Sequence, residues 1–271
     1  MGKGNARLLL RAASSLILLP IVLVLLWKGG WWFFGLVLVL TTVAALEYVS
    51  MLRRLDYAPS YPFAVGLLWA ILLTFHLADA TNYLQPALAG VLVTSLVWHV
   101  LRDRTPTPIQ NWLLPLAGAL YIGWCAGHML SLRALPGGAC RLWTVFGITW
   151  LNDTGSYLVG RTWGKHAMAP RVSPGKTWEG FAGGVASSMI GGVVISGLCG
   201  LGWGHGALLG CLLSLVGPLG DLGVSMLKRQ VGVKDSGKLI PGHGGALDRM
   251  DSTLLTVVVG YYYQVWVVGL G

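Results

Sequence analysis

The stretch SMLKRQVGVKDSGKLIPGHGGALDRMD, Ser225 to Asp251, is a polar island in an apolar chain. It gathers eight charges into 27 positions: Lys228, Arg229, Lys234, Asp235, Lys238, Asp248, Arg249 and Asp251. Gly242, Gly244 and Gly245 surround His243 at its centre. Outside this island the composition changes. Of the 271 residues 55% are hydrophobic and only 11% are charged, against about a quarter in soluble domains. No polar stretch is long enough for an aqueous domain, so the chain reads as all-α and as a polytopic membrane protein. Cations and carboxylates beside a flexible glycine turn suit the holding of a metal-bound polyphosphate.

A spanning helix takes about 20 apolar residues at ~1.5 Å each. About nine segments fit, some short enough to extend into their flanks or tilt. They are Ala12–Trp27, Trp31–Tyr48, Tyr61–Leu77, Leu84–Leu101, Trp112–Leu132, Leu142–Val159, Phe181–Leu201, Ala207–Leu227 and Leu254–Val268. The first follows Lys3, Arg7 and Arg11 as a signal peptide would, but no small-x-small cleavage site comes after it, so it is kept as a helix.

Charge placement orients these segments. With the N-terminus inside, one side receives Lys3, Arg7, Arg11, Arg53, Arg54, Arg102, Arg104, Arg161, Lys165, Arg171, Lys176, Lys228, Arg229, Lys234, Lys238 and Arg249. The other side receives only Lys28, Arg133 and Arg141. The positive-inside rule then predicts a cytoplasmic N-terminus, an external C-terminus and an odd number of spans. The net charge of +9 follows from this topology and calls for no nucleic-acid partner. Acidic residues divide the chain. Glu47, Asp56, Asp79 and Asp103 are scattered through the first half, whereas Asp153, Glu179, Asp221, Asp235, Asp248 and Asp251 fall in the second. Residues 1–140 read as a transmembrane scaffold or lipid cavity. Residues 141–271 read as the catalytic half, with two cytoplasmic polar loops.

Asp221 lies inside an apolar segment, seven residues before Lys228, so roughly 10 Å below the cytoplasmic helix end. Asp153 stands at a similar depth before Arg161. A carboxylate inside a membrane is expensive and is a functional candidate by default; the alternative is a structural pairing. Gly217, Pro218 and Gly220 loosen the backbone before Asp221, where freed carbonyls can face a cation. Asp248 and Asp251, spaced i, i+3, share a helix face at the start of the last segment. Carboxylate oxygens are the hard ligands Mg²⁺ takes, so Asp221, Asp248 and Asp251 are the candidate metal ligands. Asp251 can alternatively cap the helix or pair with Arg249. Lys228, Arg229, Lys234 and Lys238 can neutralise a triphosphate and its leaving group, or simply form a positive-inside loop. His243 can donate to a phosphate or merely sit in a turn.

A second loop, RTWGKHAMAPRVSPGKTWEGF from Arg161 to Phe181, carries Ser173, Lys176, Thr177 and Glu179. Its SPGKT is a fragment of a phosphate-binding loop. The full motif needs GxxxxGK[ST] between a strand and a helix. Here the first glycine is absent and no strand is expected, so the fold is rejected and only the chemistry kept. Gly184, Ser188 and Gly192 form a small-residue stripe that reads as close helix packing. His76, His99 and His128 are isolated in apolar segments. The four cysteines show no CxxC, which argues against a zinc site.

Ser225, Leu227-Lys228-Arg229, Lys234-Asp235, Gly237, Ile240-Pro241, His243-Gly244-Gly245, Asp248-Arg249 and Asp251 together resemble the signature of phosphatidate cytidylyltransferases, the CDP-diacylglycerol synthases. The upstream set Asn152-Asp153, Gly160-Arg161, Gly164-Lys165, Ser173-Pro174, Lys176-Thr177 and Glu179-Gly180 is similar to the same family. Ala246 departs from the larger aliphatic residue usual in the family. The resemblance covers about the last 120 residues. It implies conversion of CTP and phosphatidate to CDP-diacylglycerol and pyrophosphate. It also implies a centre of Mg²⁺ with a monovalent cation such as K⁺ at the positions of Asp221 and Asp248, a homodimer, and a place in the bacterial inner membrane with the site facing the cytosol. On this reading Asp221, Asp248, Lys228, Arg229 and His243 are catalytic. Asp153, Ser173, Lys176, Thr177, Glu179, Lys234, Asp235, Lys238, Gly244, Gly245 and Arg249 line the substrates. The rival readings are a CTP-dependent lipid kinase, a cytidylyltransferase acting on another lipid phosphate, and an ion-coupled transporter using Asp153 and Asp221.

Overall fold

A computed structural model describes residues 20–77, 81–237 and 244–269. Helices dominate it. Residues 20–28 are helical, and Gly29 and Gly30, both at positive φ (68° and 50°), break that run before α1 (Gly30–Leu52). Then come α2 (Tyr61–His76), α3 (Thr81–Arg102), α4 (Pro108–Ala134) and α5 (Gly138–Trp163). Two short strands, β1 (Ala167–Ala169) and β2 (Ser173–Thr177), lead to α6 (Trp178–Leu198), α7 (Trp203–Gln230) and α8 (Leu247–Trp266). Each expected span from Trp31 onward coincides with one of these helices. Most run a few residues further at their ends, because polar flanks continue a hydrogen-bonded helix at little cost. Among the described residues four helices qualify as membrane spans by length and apolar composition: Gly30–Leu55, Pro108–Ala134, Trp178–Leu198 and Trp203–Gln230. Tyr61–His76 is apolar but shorter.

The expectation that the second loop holds no strand is corrected. β1 and β2 pair antiparallel, Ala167 opposite Thr177 and Ala169 opposite Ser173. SPGKT is itself the second strand and runs straight into α6. It does not follow a strand as a phosphate-binding loop does.

The chain divides into two compact units. The first comprises the residues up to Leu130 together with Gln230–Arg249. Phe33, Val37 and Ala44 of α1, Leu68, Ile71 and Leu72 of α2, and Ala119, Ile122 and Ala126 of α4 form its dry core. Glycine admits the close contacts. Gly118 makes room for the Tyr48 ring, whose hydroxyl donates to the Leu114 carbonyl at 3.1 Å.

The second unit comprises Ser131–Arg229 and Met250–Gly271. The small-residue stripe on α6 packs as expected from its spacing. Gly184 lies against Asn152 and Ser156 of α5, Ser188 meets Gly210 of α7, and Gly192 meets Gly206 and Gly210. Side chains this small let helix backbones touch, which is how helices associate in lipid. α5 and α6 form an antiparallel pair with the β-hairpin at one end. At the other end Cys140 and Cys199 are joined by a disulfide, Cα to Cα 5.7 Å.

Candidate functional site

In the second unit the hairpin delivers Lys176. Glu179 fixes the hairpin base: its carboxylate accepts the backbone N–H of Lys165 (3.1 Å) and of His166 (3.2 Å) and meets the His166 ring at 2.5 Å. Thr177 caps α6, its Oγ1 accepting the Gly180 N–H at 3.1 Å, a standard N-cap bond. Arg229 Nε donates to the Val172 carbonyl at 3.2 Å and ties the hairpin to the end of α7. Held in this way, Lys176 reaches α7. Its Nζ pairs with Asp221 Oδ2 at 2.7 Å and donates to the Pro218 carbonyl at 3.2 Å. The Pro218 carbonyl, three residues before Asp221, thus accepts from an ammonium of this chain.

Asp221 is further fixed by Ser225, whose hydroxyl donates to Oδ1 at 3.1 Å. Asp251 lies close by. Gly220 packs directly on the Asp251 carbonyl, and any side chain there would collide with it. The charges of Asp221 and Asp153 oppose that of Asp251, and Lys228 offsets them. Lys228 is buried, only 8% exposed, so its ammonium is spent inside the unit and is no part of a solvated loop. Asp153 is exposed on α5, and its neighbour Asn152 is the residue turned inward. Asp251 neither caps α8 nor pairs with Arg249. It lies one turn inside the helix, its Oδ1 accepting the Ser252 N–H at 2.7 Å.

In the first unit the glycine-rich segment closes around Asp248. Its Oδ2 accepts the N–H of Ser236 (2.8 Å), the hydroxyl of Ser236 (3.0 Å) and the N–H of Gly245 (3.1 Å). Gly244 adopts φ +85°, a conformation that favours glycine. Gly245 needs the same residue for a different reason: a Cβ would strike Ser236 and Glu47. Lys234, Asp235 and Arg249 are exposed. Lys238 and His243 lie outside the described residues. Among the described residues no three His, Cys, Asp or Glu side chains are grouped to hold a metal ion by themselves.

Sequence reading missed Glu47. It belongs to the half read as scaffold, in AALEYVSML of α1, yet it reaches the glycine segment. Its Oε2 accepts the Ser236 hydroxyl at 2.8 Å and the Leu247 N–H at 3.1 Å, and its Oε1 accepts the Ala246 N–H at 3.0 Å. One signal was available: it is a lone carboxylate inside a long apolar run, the same cue that singled out Asp221.

Residues 9–267 match the cytidylyltransferase family. The chain is 36% identical over 236 residues to a phosphatidate cytidylyltransferase of Bacillus subtilis (strain 168), covering 84% of this chain and 86% of that one. It is 41% identical over 157 residues to a phosphatidate cytidylyltransferase of Brucella suis biovar 1 (strain 1330), covering 57% of each. It is also 34% identical over 235 residues to the uncharacterized protein YnbB of Escherichia coli (strain K12), covering 82% of this chain and 78% of that one.

Proposed function

Because this chain belongs to the cytidylyltransferase family, we propose that it joins CTP to phosphatidate, releasing CDP-diacylglycerol and pyrophosphate. A phosphate oxygen of phosphatidate attacks the α-phosphorus of CTP. The bond to the β-phosphate breaks, and the pyrophosphate carries the electron pair away. The phosphatidate phosphate is already a competent nucleophile, so no covalent enzyme intermediate is needed. The protein has to bring two anions together and stabilise a third.

One observation carries this reading: Lys176 meets Asp221 beside Asp251. Three separate segments thus assemble a cation and two mutually repelling carboxylates. That donor set fits a hard divalent ion; Asp221 and Asp251 are the proposed Mg²⁺ ligands of this unit and Asp248 that of the other, with K⁺ as a second cation. When bound, Mg²⁺ supplies charge cancellation on the phosphates. Lys176, Arg229 and Lys234 are proposed to face the polyphosphate and stabilise the departing pyrophosphate, while the buried Lys228 offsets the carboxylates. Asp235, Arg249, Ser173 and the glycine segment position the nucleotide. Asp248, with one oxygen held by three donors, keeps a fixed orientation.

The proposal includes a homodimer in the bacterial inner membrane, with nine spans, a cytoplasmic N-terminus and the site at the cytosolic edge, where a soluble nucleotide and a lipid can meet. The charge asymmetry supports this orientation, and so does the disulfide. Cys140 and Cys199 close the end of the α5–α6 pair away from the hairpin, and disulfides persist in oxidising compartments outside the cytosol. The test is an assay of purified protein in detergent with CTP and phosphatidate. A CDP-lipid with pyrophosphate is the expected product. CDP with a newly phosphorylated lipid would instead make it a kinase, and substrate-independent ion flux in liposomes would make it a transporter.

A further inference from the structure

We infer that Glu47 is a positioning residue of this transferase: from α1 it clamps the glycine segment and the first turn of α8, and through them it orients Asp248. The inference rests on the proposed function for what Asp248 does, but the clamp itself is a matter of geometry. A helix start leaves backbone N–H groups without intrahelical acceptors. At the start of α8 two such groups, those of Ala246 and Leu247, are taken by Glu47, one on each oxygen. Glu47 therefore caps this helix from outside it, where a negative charge is also favoured by the helix dipole.

Its third bond connects the cap to the site. The Ser236 hydroxyl lies between Glu47 Oε2, at 2.8 Å, and Asp248 Oδ2, at 3.0 Å. Displacing Glu47 moves that hydroxyl and with it one of the three donors that set the rotation of Asp248. The glycines of the segment record the same constraint. A Cβ at Gly237 or at Gly245 would strike the Glu47 carboxylate, so the backbone on both sides of the turn is moulded to it. Glu47 is 9% exposed and stands inside a helix apolar enough to span a membrane. A carboxylate is kept in such a place only with partners or for function. Here all the observed partners belong to the segment that carries Asp248.

The test compares wild type, Glu47→Gln, Ser236→Ala and a control, Ser50→Ala, whose exposed hydroxyl bonds only back to its own helix. Gln cannot reproduce three acceptor contacts, because its NH₂ must face at least one N–H donor. Glu47→Gln is expected to lower kcat about 10- to 100-fold, the usual loss when a partner behind a metal ligand is removed. KM for CTP and for phosphatidate should be little changed, and Ser236→Ala should show the same pattern more weakly. Hydrogen exchange at the amides of residues 245–247 should quicken in Glu47→Gln and stay unchanged in Ser50→Ala. A folded Glu47→Gln with wild-type kcat overturns the inference whatever its exchange. If Glu47→Gln does not fold, a wild-type kcat in Ser236→Ala overturns it. Should the wild type itself form no CDP-lipid, the functional reading is what falls, and unchanged exchange in Glu47→Gln would then dismiss the clamp separately.

Discussion

At the residue scale, glycines with different surroundings should respond differently to one added methyl group. Gly245 is packed on Ser236 and Glu47, and Gly244 holds φ +85°, where a side chain costs roughly 1–2 kcal/mol. Gly175 sits in the SPGKT fragment with open space around it. Gly245→Ala and Gly244→Ala are expected to lose most activity, and Gly175→Ala to keep it, in a CDP-lipid synthesis assay of equal amounts of folded protein. Lys176→Ala should raise the CTP requirement more than the lipid requirement; an effect on lipid alone would contradict a phosphate role. Asp221 stands out in the sequence because charge inside an apolar segment is costly, and Asp248 and Asp251 because their i, i+3 spacing shares one helix face. Glu47 obeys the same rule. It stayed hidden because its partners lie 189 to 200 residues away, and no local pattern encodes that separation.

At the element scale, the helices were legible from apolar run length alone, since a bilayer fixes how long such a run must be. The β-hairpin was not. Its strands are three and five residues long, too short to show an alternating pattern, and they depend on Glu179 gripping Lys165 and His166. Glu179→Ala should therefore loosen the hairpin and weaken CTP binding through Lys176, measurable as a raised KM for CTP with normal helix content. The disulfide was unreadable too, because four cysteines allow several pairings. Cys140→Ser/Cys199→Ser is expected to cost about 2–4 kcal/mol of stability and to leave kcat alone, because it lies at the end of the α5–α6 pair away from the hairpin. Thermal unfolding in detergent beside the activity assay checks both.

At the scale of the whole molecule, residues 230–237 and 244–249 belong to the unit of the N-terminal helices, and Asp221 and Asp251 to the other unit. What the sequence conveys is the clustering of charge in the second half; what it withholds is that Glu47, a buried acid of the first half, accepts from Ser236, Ala246 and Leu247. On the proposed function these carboxylates serve a divalent cation in joining CTP to phosphatidate. The most direct measurement is CDP-diacylglycerol formation by purified wild type and by Asp221→Asn and Asp251→Asn, each titrated with Mg²⁺. A Mg²⁺-dependent wild type and two folded variants that fail to turn over across the range are expected. Wild-type turnover by either variant at low Mg²⁺ would contradict it.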